Sequence, residues 1–286
     1  RRWFAARRWR TYSCGSRGGA SLTDLALKAT GPRRFGWWYV AEWRLRAMRA
    51  FRWTILTMAL GNPVLYLAAM GIGLGSLIKT EVAGVPYLQF VAPALLVSTA
   101  VVEGYQEASW PVMTGFRWQK FYFGMAATPL SPGQLALGEA VAGAVRISAQ
   151  SLVFWLIGLA FGAFVGWQSI LLVPIAVLAA AAMQLMVMAY VATIDNDVVL
   201  NVMYRMVVMP MFLFAGTFYP LETMPVFLRW IGWISPMWHG SQLGRVAAIG
   251  MPEPGWLTAG HVGFLAALIV SGLLWARRTF TKRVVV

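Results

Sequence analysis

Long apolar runs separated by short polar or proline-bearing joints dominate the chain; they cover residues 53–77, 86–108, 139–164, 170–194, 200–218 and 256–275. Hydrocarbon about 30 Å thick is crossed by roughly 20 mostly apolar helical residues. The pattern therefore predicts six transmembrane helices and an all-α polytopic membrane protein. The turn carrying Lys79, Thr80 and Glu81 is short enough to make the first two spans antiparallel neighbours. A tight link over residues 165–168 joins spans three and four, and Asp195, Asn196 and Asp197 close the fourth.

Two joints are more than turns. Residues 109–137 carry Arg117, Lys120, Pro129, Pro132 and a band of aromatics, too polar and broken to span. Between spans five and six, Pro220, Pro225, Pro236, Pro252 and Pro254 punctuate nearly forty residues. Within that stretch residues 226–234 are apolar but far below spanning length, which predicts a short re-entrant or interfacial helix.

Ahead of the first span, residues 37–51 alternate with helical period. Trp37, Val40, Ala41, Trp43, Ala47, Met48 and Phe51 share one arc, and Glu42, Arg46, Arg49 and Arg52 the opposite one, with Arg44 intruding on the apolar side. A basic, Trp-rich amphipathic helix of this kind lies in the headgroup plane, its cations near anionic membrane lipids. It forms an elbow into the first span.

Composition strengthens the membrane reading: 59% of residues are hydrophobic and 12% charged, where a soluble domain carries roughly 25% charged residues. The net charge of +14 does not point to nucleic acid, because 13 of the 24 Lys and Arg precede residue 53 and form a positive-inside flank. With both termini inside, twenty basic residues fall on the cytoplasmic side and three, Lys79, Arg229 and Arg245, outside; Arg146 falls within the third span. Residues 1–35 read as a basic, disordered cytoplasmic tail or as an artefact of start-site choice, and residues 36–286 as one transmembrane domain. Cys14 is the single cysteine, which excludes an internal disulfide and a multi-cysteine metal site.

Catalytic and energy-converting motifs are missing. Residues 71–75, Gly-Ile-Gly-Leu-Gly, lie inside an apolar run with no preceding strand, so they suit helix packing rather than nucleotide binding. Lys79-Thr80 lacks the glycine of a Walker A motif. His239 and His261 are not spaced for zinc. Glu103 and Glu107 stand one turn apart in span two, and with Arg146 they have two readings: a cytoplasmic-end bridge or anchor, or a proton or substrate relay. Gly158, Gly162 and Gly166 recur at every fourth position, permitting close packing within one subunit or between two.

Four stretches resemble the permease subunits of the ABC-2 export family, in particular its nodulation-factor and daunorubicin-type branch. They are residues 62–67 (Asn-Pro-Val-Leu-Tyr-Leu) with 71–75; Ala127-Thr128-Pro129-Leu130-Ser131 with Gly138-Glu139; Phe218-Tyr219-Pro220-Leu221-Glu222 with Met224-Pro225; and Ser235-Pro236-Met237-Trp238-His239. The resemblance implies an exporter permease with no ATPase site or directly bound cofactor of its own. It works with separate cytoplasmic ABC ATPases that bind ATP and Mg, beside a second permease, identical or homologous, in the bacterial plasma membrane. It further implies an ATPase-coupling segment, for which Arg117, Lys120, Thr128, Pro129, Leu130 and Ser131 are candidates, and an outer gate near Tyr219, Pro220, Leu221 and Pro225. An amphipathic substrate, drug-like, lipid or glycolipid, is expected to move outward by alternating access. An ion-coupled secondary transporter and a membrane anchor or assembly factor are the alternatives.

Overall fold

The computed structural model describes residues 34–78 and 81–285; most of the basic tail and the Lys79-Thr80 pair lie outside them. The described residues are helical apart from turns, links and one isolated bridge between Val82 and Val85. Among the described residues five helical runs are long and apolar enough to cross a membrane: Gly36–Leu77, Tyr87–Trp118, Pro132–Ala160, Trp167–Val191 and Gly255–Val284. The predicted fifth span is a shorter apolar helix, Val198–Phe214.

The elbow is α1 (Gly36–Met48), and a single 3-10 turn, Arg49–Phe51, turns it into α2 (Arg52–Leu67), which continues through a π-helical stretch to Leu77. Val40 and Ala41, the centre of the predicted apolar arc, are buried. Gly138 leaves room for them: a Cβ there would sit 2.5 Å from that of Val40. The arc thus packs on α5, while Glu42 and Arg46 pair on the outer side at 2.6 Å.

The second span, α3 (Tyr87–Met113), runs beyond its predicted end at residue 108 despite Pro111. A proline forfeits one helical hydrogen bond, and buried Val112 and Met113 offset that loss. α3 is the centre of the molecule: 72% of the most apolar 18-residue stretch of its run is buried, against 18% of that of the α1–α2 run. A Cβ at Gly104 would lie 2.5 Å from the Ala180 carbonyl, so glycine sets how closely α3 approaches α6.

After the short α4 (Phe121–Ala126), α5 (Pro132–Ala160) begins seven residues earlier than the predicted span. Its start is fixed by a capping box, in which the Ser131 hydroxyl accepts from the Gln134 amide and the Gln134 side chain accepts from the Ser131 amide, with Pro132 following. Its end corrects two expectations. Gly162 and Gly166 are turn residues at φ +68° and +80° with open space around them, not a helix-packing stripe. Span three therefore stops at Ala160, and a 3-10 turn, Trp167–Leu171, leads into α6 (Leu172–Val191).

The Val198–Phe214 helix comprises α7 (Val198–Met203), a π-helical turn at Tyr204–Val208 and α8 (Met209–Phe214). It ends four residues before the prediction because Ala215 leaves helical geometry and Gly216 takes φ +73°. The proline-rich stretch then folds into α9 (Val226–Trp233), close to the predicted short helix, and α10 (Pro236–Ile249). Gly240 and Gly244 let α10 wedge against Val97 of α3 and Ala179 and Leu172 of α6. The last helix, α11 (Gly255–Val285), runs ten residues past its predicted end because Arg277, Arg278, Lys282 and Arg283 are good helix formers outside the apolar run.

Candidate functional site

An ion-paired node links the elbow to the two central spans. Arg146 of α5 donates to Glu107 and, through its other terminal nitrogen, to Glu103 Oε2 at 3.0 Å. The three ionisable residues flagged in spans two and three thus form a bridge. Arg44, the cation that interrupts the apolar arc of α1, lies 3.5 Å from Glu107 and 3.3 Å from Glu139. Two guanidiniums therefore hold three carboxylates, and Glu139 is only 4% exposed. Tyr122 of α4 is buried nearby among Phe116, Phe121 and Phe280; burial, with the negative charge of Glu139 adding, pushes its hydroxyl well above the usual tyrosine range.

The node faces a cavity of about 650 Å3 lined by Trp43, Arg44, Glu107, Trp110, Phe121 and Arg146 among others. Farther along α3, Glu103 also borders a small polar space of about 60 Å3 with Asn62, Tyr66, Thr99, Gln150 and Tyr204. Polar side chains thus continue from the cavity into the spanning region. Guanidinium, carboxylate, amide and hydroxyl groups beside indole rings offer hydrogen bonds to a polar group and a flat apolar surface to whatever carries it.

The expected coupling segment divides into two parts. Ser131 caps α5, the Thr128 hydroxyl donates to the Met125 carbonyl at 2.6 Å, and Leu130 packs close to Gly36, so these residues shape the turn while exposed Pro129 sits between them. Arg117 and Lys120 are exposed, and Lys120 adopts φ +54° as the chain enters α4. With Phe116, Phe123, Asp195 and Arg283 they line an open cleft of about 900 Å3. Arg283 organises it: the guanidinium lies 4.9 Å from the Phe116 ring, donates to the carbonyls of Ala192 and Ile194 at 2.9 and 2.7 Å, and pairs with Asp195 at 2.5 Å. One cation thereby satisfies the orphan carbonyls at the end of α6 and ties the cleft to α11.

At the opposite end of α11 lies a second buried cluster. Arg245 of α10, counted among the three outer cations from sequence, is 1% exposed; it donates to the carbonyls of Gly216 and Thr217 at 2.7 and 3.2 Å and stacks 4.0 Å from the centre of Phe90. Burial pulls its pKa down to about 10, which leaves it charged at neutral pH. Of the gate candidates, Leu221 is buried against Gly232, Tyr219 donates to the Leu213 carbonyl at 3.3 Å, Pro220 precedes a 3-10 turn and Pro225 precedes α9. Beside them, His239 and His261 meet, although sequence spacing gives no sign of it.

The elbow residues Trp37, Trp43, Arg46, Arg49 and Arg52 do not converge on one point. Trp43 packs on Phe121 at 4.8 Å between ring centres, whereas Arg49 and Arg52 border an apolar groove between α2 and α5. Sequence reasoning gave no site role to Arg44, Glu139, Asp195, Arg283 or Arg245. Only Arg44 carried a local signal, a charge on an apolar arc; the others acquire their roles from partners distant in sequence.

A family model described as ABC-2 type transporter matches residues 37–248. Similar curated proteins include Nodulation protein J of Rhizobium leguminosarum bv. viciae, 26% identical over 252 residues that cover 86% of this chain and 94% of that protein. Nodulation protein J of Neorhizobium galegae is 28% identical over 236 residues, covering 81% and 88% respectively. That of Rhizobium meliloti is 25% identical over 221 residues, covering 76% and 83%. The apolar helices, the elbow and the match over most of the chain lead to one conclusion: this multi-pass membrane protein belongs to the ABC-2 type transporter family.

Proposed function

We propose that the chain is the permease half of an ATP-binding-cassette exporter in the bacterial plasma membrane, with Val198–Phe214 completing six spans and both termini in the cytoplasm. Separate ATPase subunits bind ATP and Mg, and a second permease, identical or homologous, completes the pathway. The substrate is amphipathic: its polar part follows the side chains from Arg44 and Glu107 toward Gln150 and Asn62, and its apolar part keeps to aromatic and aliphatic walls.

The observation that carries this reading is the open cleft at Arg117 and Lys120. Its walls belong to the ends of α3, α6 and α11 together, so a partner pressing there moves three helices as a body. Burial of Phe116 and Tyr122 stiffens the joint, while the two exposed cations suit an acidic partner surface.

Co-purification with an ATPase encoded beside this chain, followed by ATP-dependent uptake into inverted membrane vesicles, tests the reading. Arg117→Ala with Lys120→Ala is expected to lower substrate-stimulated ATP hydrolysis about tenfold, the usual effect of truncating an interfacial side chain that matters, while leaving the permease folded. Recovery of no ATPase, together with transport that continues without ATP, overturns it.

A further inference from the structure

The two histidines, 22 positions apart, face each other with Nδ1 atoms 2.6 Å apart. His239 Nε2 lies 2.9 Å from the Trp233 carbonyl oxygen and must donate to it, since a carbonyl only accepts. His261 Nε2 lies 3.1 Å from Glu253 Oε1, whose other oxygen accepts from the Thr258 hydroxyl at 2.8 Å. Phe264 stacks on His239 at 4.0 Å, and Trp238 abuts both imidazoles at 4.9 and 5.0 Å. His239 is 9% and His261 1% exposed.

Proton counting fixes what this arrangement can hold. With both Nε2 atoms donating, one proton fits between the Nδ1 atoms; the histidine pair then carries one positive charge, balanced by Glu253. A second proton would bring two N–H groups face to face and place two imidazolium charges in an aromatic cage beside a single carboxylate. The short contact cannot survive that. At 2.6 Å the two Nδ1 atoms stand closer than the roughly 3.3 Å at which two tetrahedral zinc bonds of about 2.0–2.1 Å would hold them, so the observed contact is that of a shared proton.

The contact joins separate elements. His239 belongs to α10 and Trp233 to the end of α9, whereas His261, Phe264 and Thr258 belong to α11. Glu253 lies in the link between α10 and α11, flanked by exposed Pro252 and Pro254, which gives protons a route to the chain. Among the described residues, α11 contributes His261 as the titratable group facing His239, the link contributes Glu253, and α9 contributes a carbonyl. Arg245, also on α10, is turned away toward Phe90 and Gly216.

We propose that Glu253, His261 and His239 form a buried proton-binding site that latches α9 and α10 to α11 and lets them go when a second proton enters. The latch stands whatever drives transport; placing it on the outer face, where it would act on the exit side, rests on the topology proposed above. Acidification on that side would then loosen the segment that carries Leu221 and Pro225.

Hydrogen–deuterium exchange on the full chain in lipid nanodiscs, with no ATPase present, tests the latch. Peptides from residues 226–249, corrected for intrinsic exchange and referenced to α6, should lose protection about tenfold between roughly pH 7 and 5. His261→Gln should abolish that step, because one histidine cannot form the repelling pair. Glu253→Gln, nearly isosteric and so spared a folding defect, should move the step to lower pH, since each added proton loses its counter-charge. A flat wild-type profile, a step unchanged in His261→Gln, or a midpoint unmoved by Glu253→Gln overturns the proposal. Failure of ATP-dependent transport would bear on the export reading alone.

Discussion

The two ends of the bundle handle buried charge in different ways. At the elbow, Arg44 and Arg146 meet Glu103, Glu107 and Glu139 directly, and each guanidinium touches two carboxylates from α3 or α5. At the other end Arg245 is satisfied by backbone carbonyls and the face of Phe90, while the acid nearby, Glu253, is engaged by a histidine. The elbow node is a set of directly paired opposite charges that clamps α1, α3 and α5. The far cluster is a single fixed cation beside a chain whose charge depends on protons. If the export reading proposed above holds, the clamp lies at the end that would receive a push from the ATPase, and the histidine contact at the end that would have to let go.

The largest effect should come from breaking the clamp. Glu107→Ala leaves Arg146 and Arg44 short of a buried partner and is expected to cost about 3–5 kcal/mol, read as the fall in thermal stability of the purified chain. If Arg146→Met restores much of that loss in the double variant, the node is a coupled pair; additive losses would mean that Glu107 acts through packing alone.

Somewhat smaller is the effect of Arg245→Met, which strands the carbonyls of Gly216 and Thr217 and should cost about 2–3 kcal/mol in the same assay. Exchange should rise first in residues 215–225. A uniform loss across the molecule would contradict the assignment of Arg245 as the tie between α10 and that bend.

The histidine contact also carries a pH dependence of its own. Burial lowers the pKa of His239 below its ordinary value of 6.5; the hydrogen bond to the Trp233 carbonyl opposes it, and His261 adds a smaller lowering. The unfolded chain therefore takes up this proton before the folded chain does. The associated stability is complete above the ordinary histidine value and is lost as pH falls through the lowered one. Melting curves of wild type and His239→Gln should converge under acid and separate toward neutral pH; parallel curves would place the titration elsewhere.

Smallest of all should be the stability change from Arg117→Ala and Lys120→Ala, within about 0.5 kcal/mol because both side chains are exposed. A larger loss would show that the cleft is a structural element rather than a docking surface.

Much of this architecture was legible along the chain. Span lengths are fixed by apolar runs, so the centres of α2, α3, α5, α6 and α11 fall where hydropathy puts them. The elbow and α9 were readable because amphipathic period and proline spacing are local properties. Ends were less readable: the Ser131 capping box starts α5 earlier than its apolar run, and positive-φ Gly162 stops it sooner. Of the proposed sites, Glu103, Glu107 and Arg146 could be grouped because charge is costly within a span. His239 with His261, Arg283 with the end of α6, and Arg44 with Glu139 could not be, since each pair is joined only by helix packing.

By itself the sequence determined that this chain enters a membrane, where its helices lie, and that the family's permease pattern runs through it, because burial of apolar length and local backbone preference act residue by residue. Tertiary structure decided which charges meet. The partners of Arg44, Arg245, Arg283 and His239 depend on how closely small residues such as Gly104, Gly138 and Gly240 let helices approach, and distances between helices are written in no single segment.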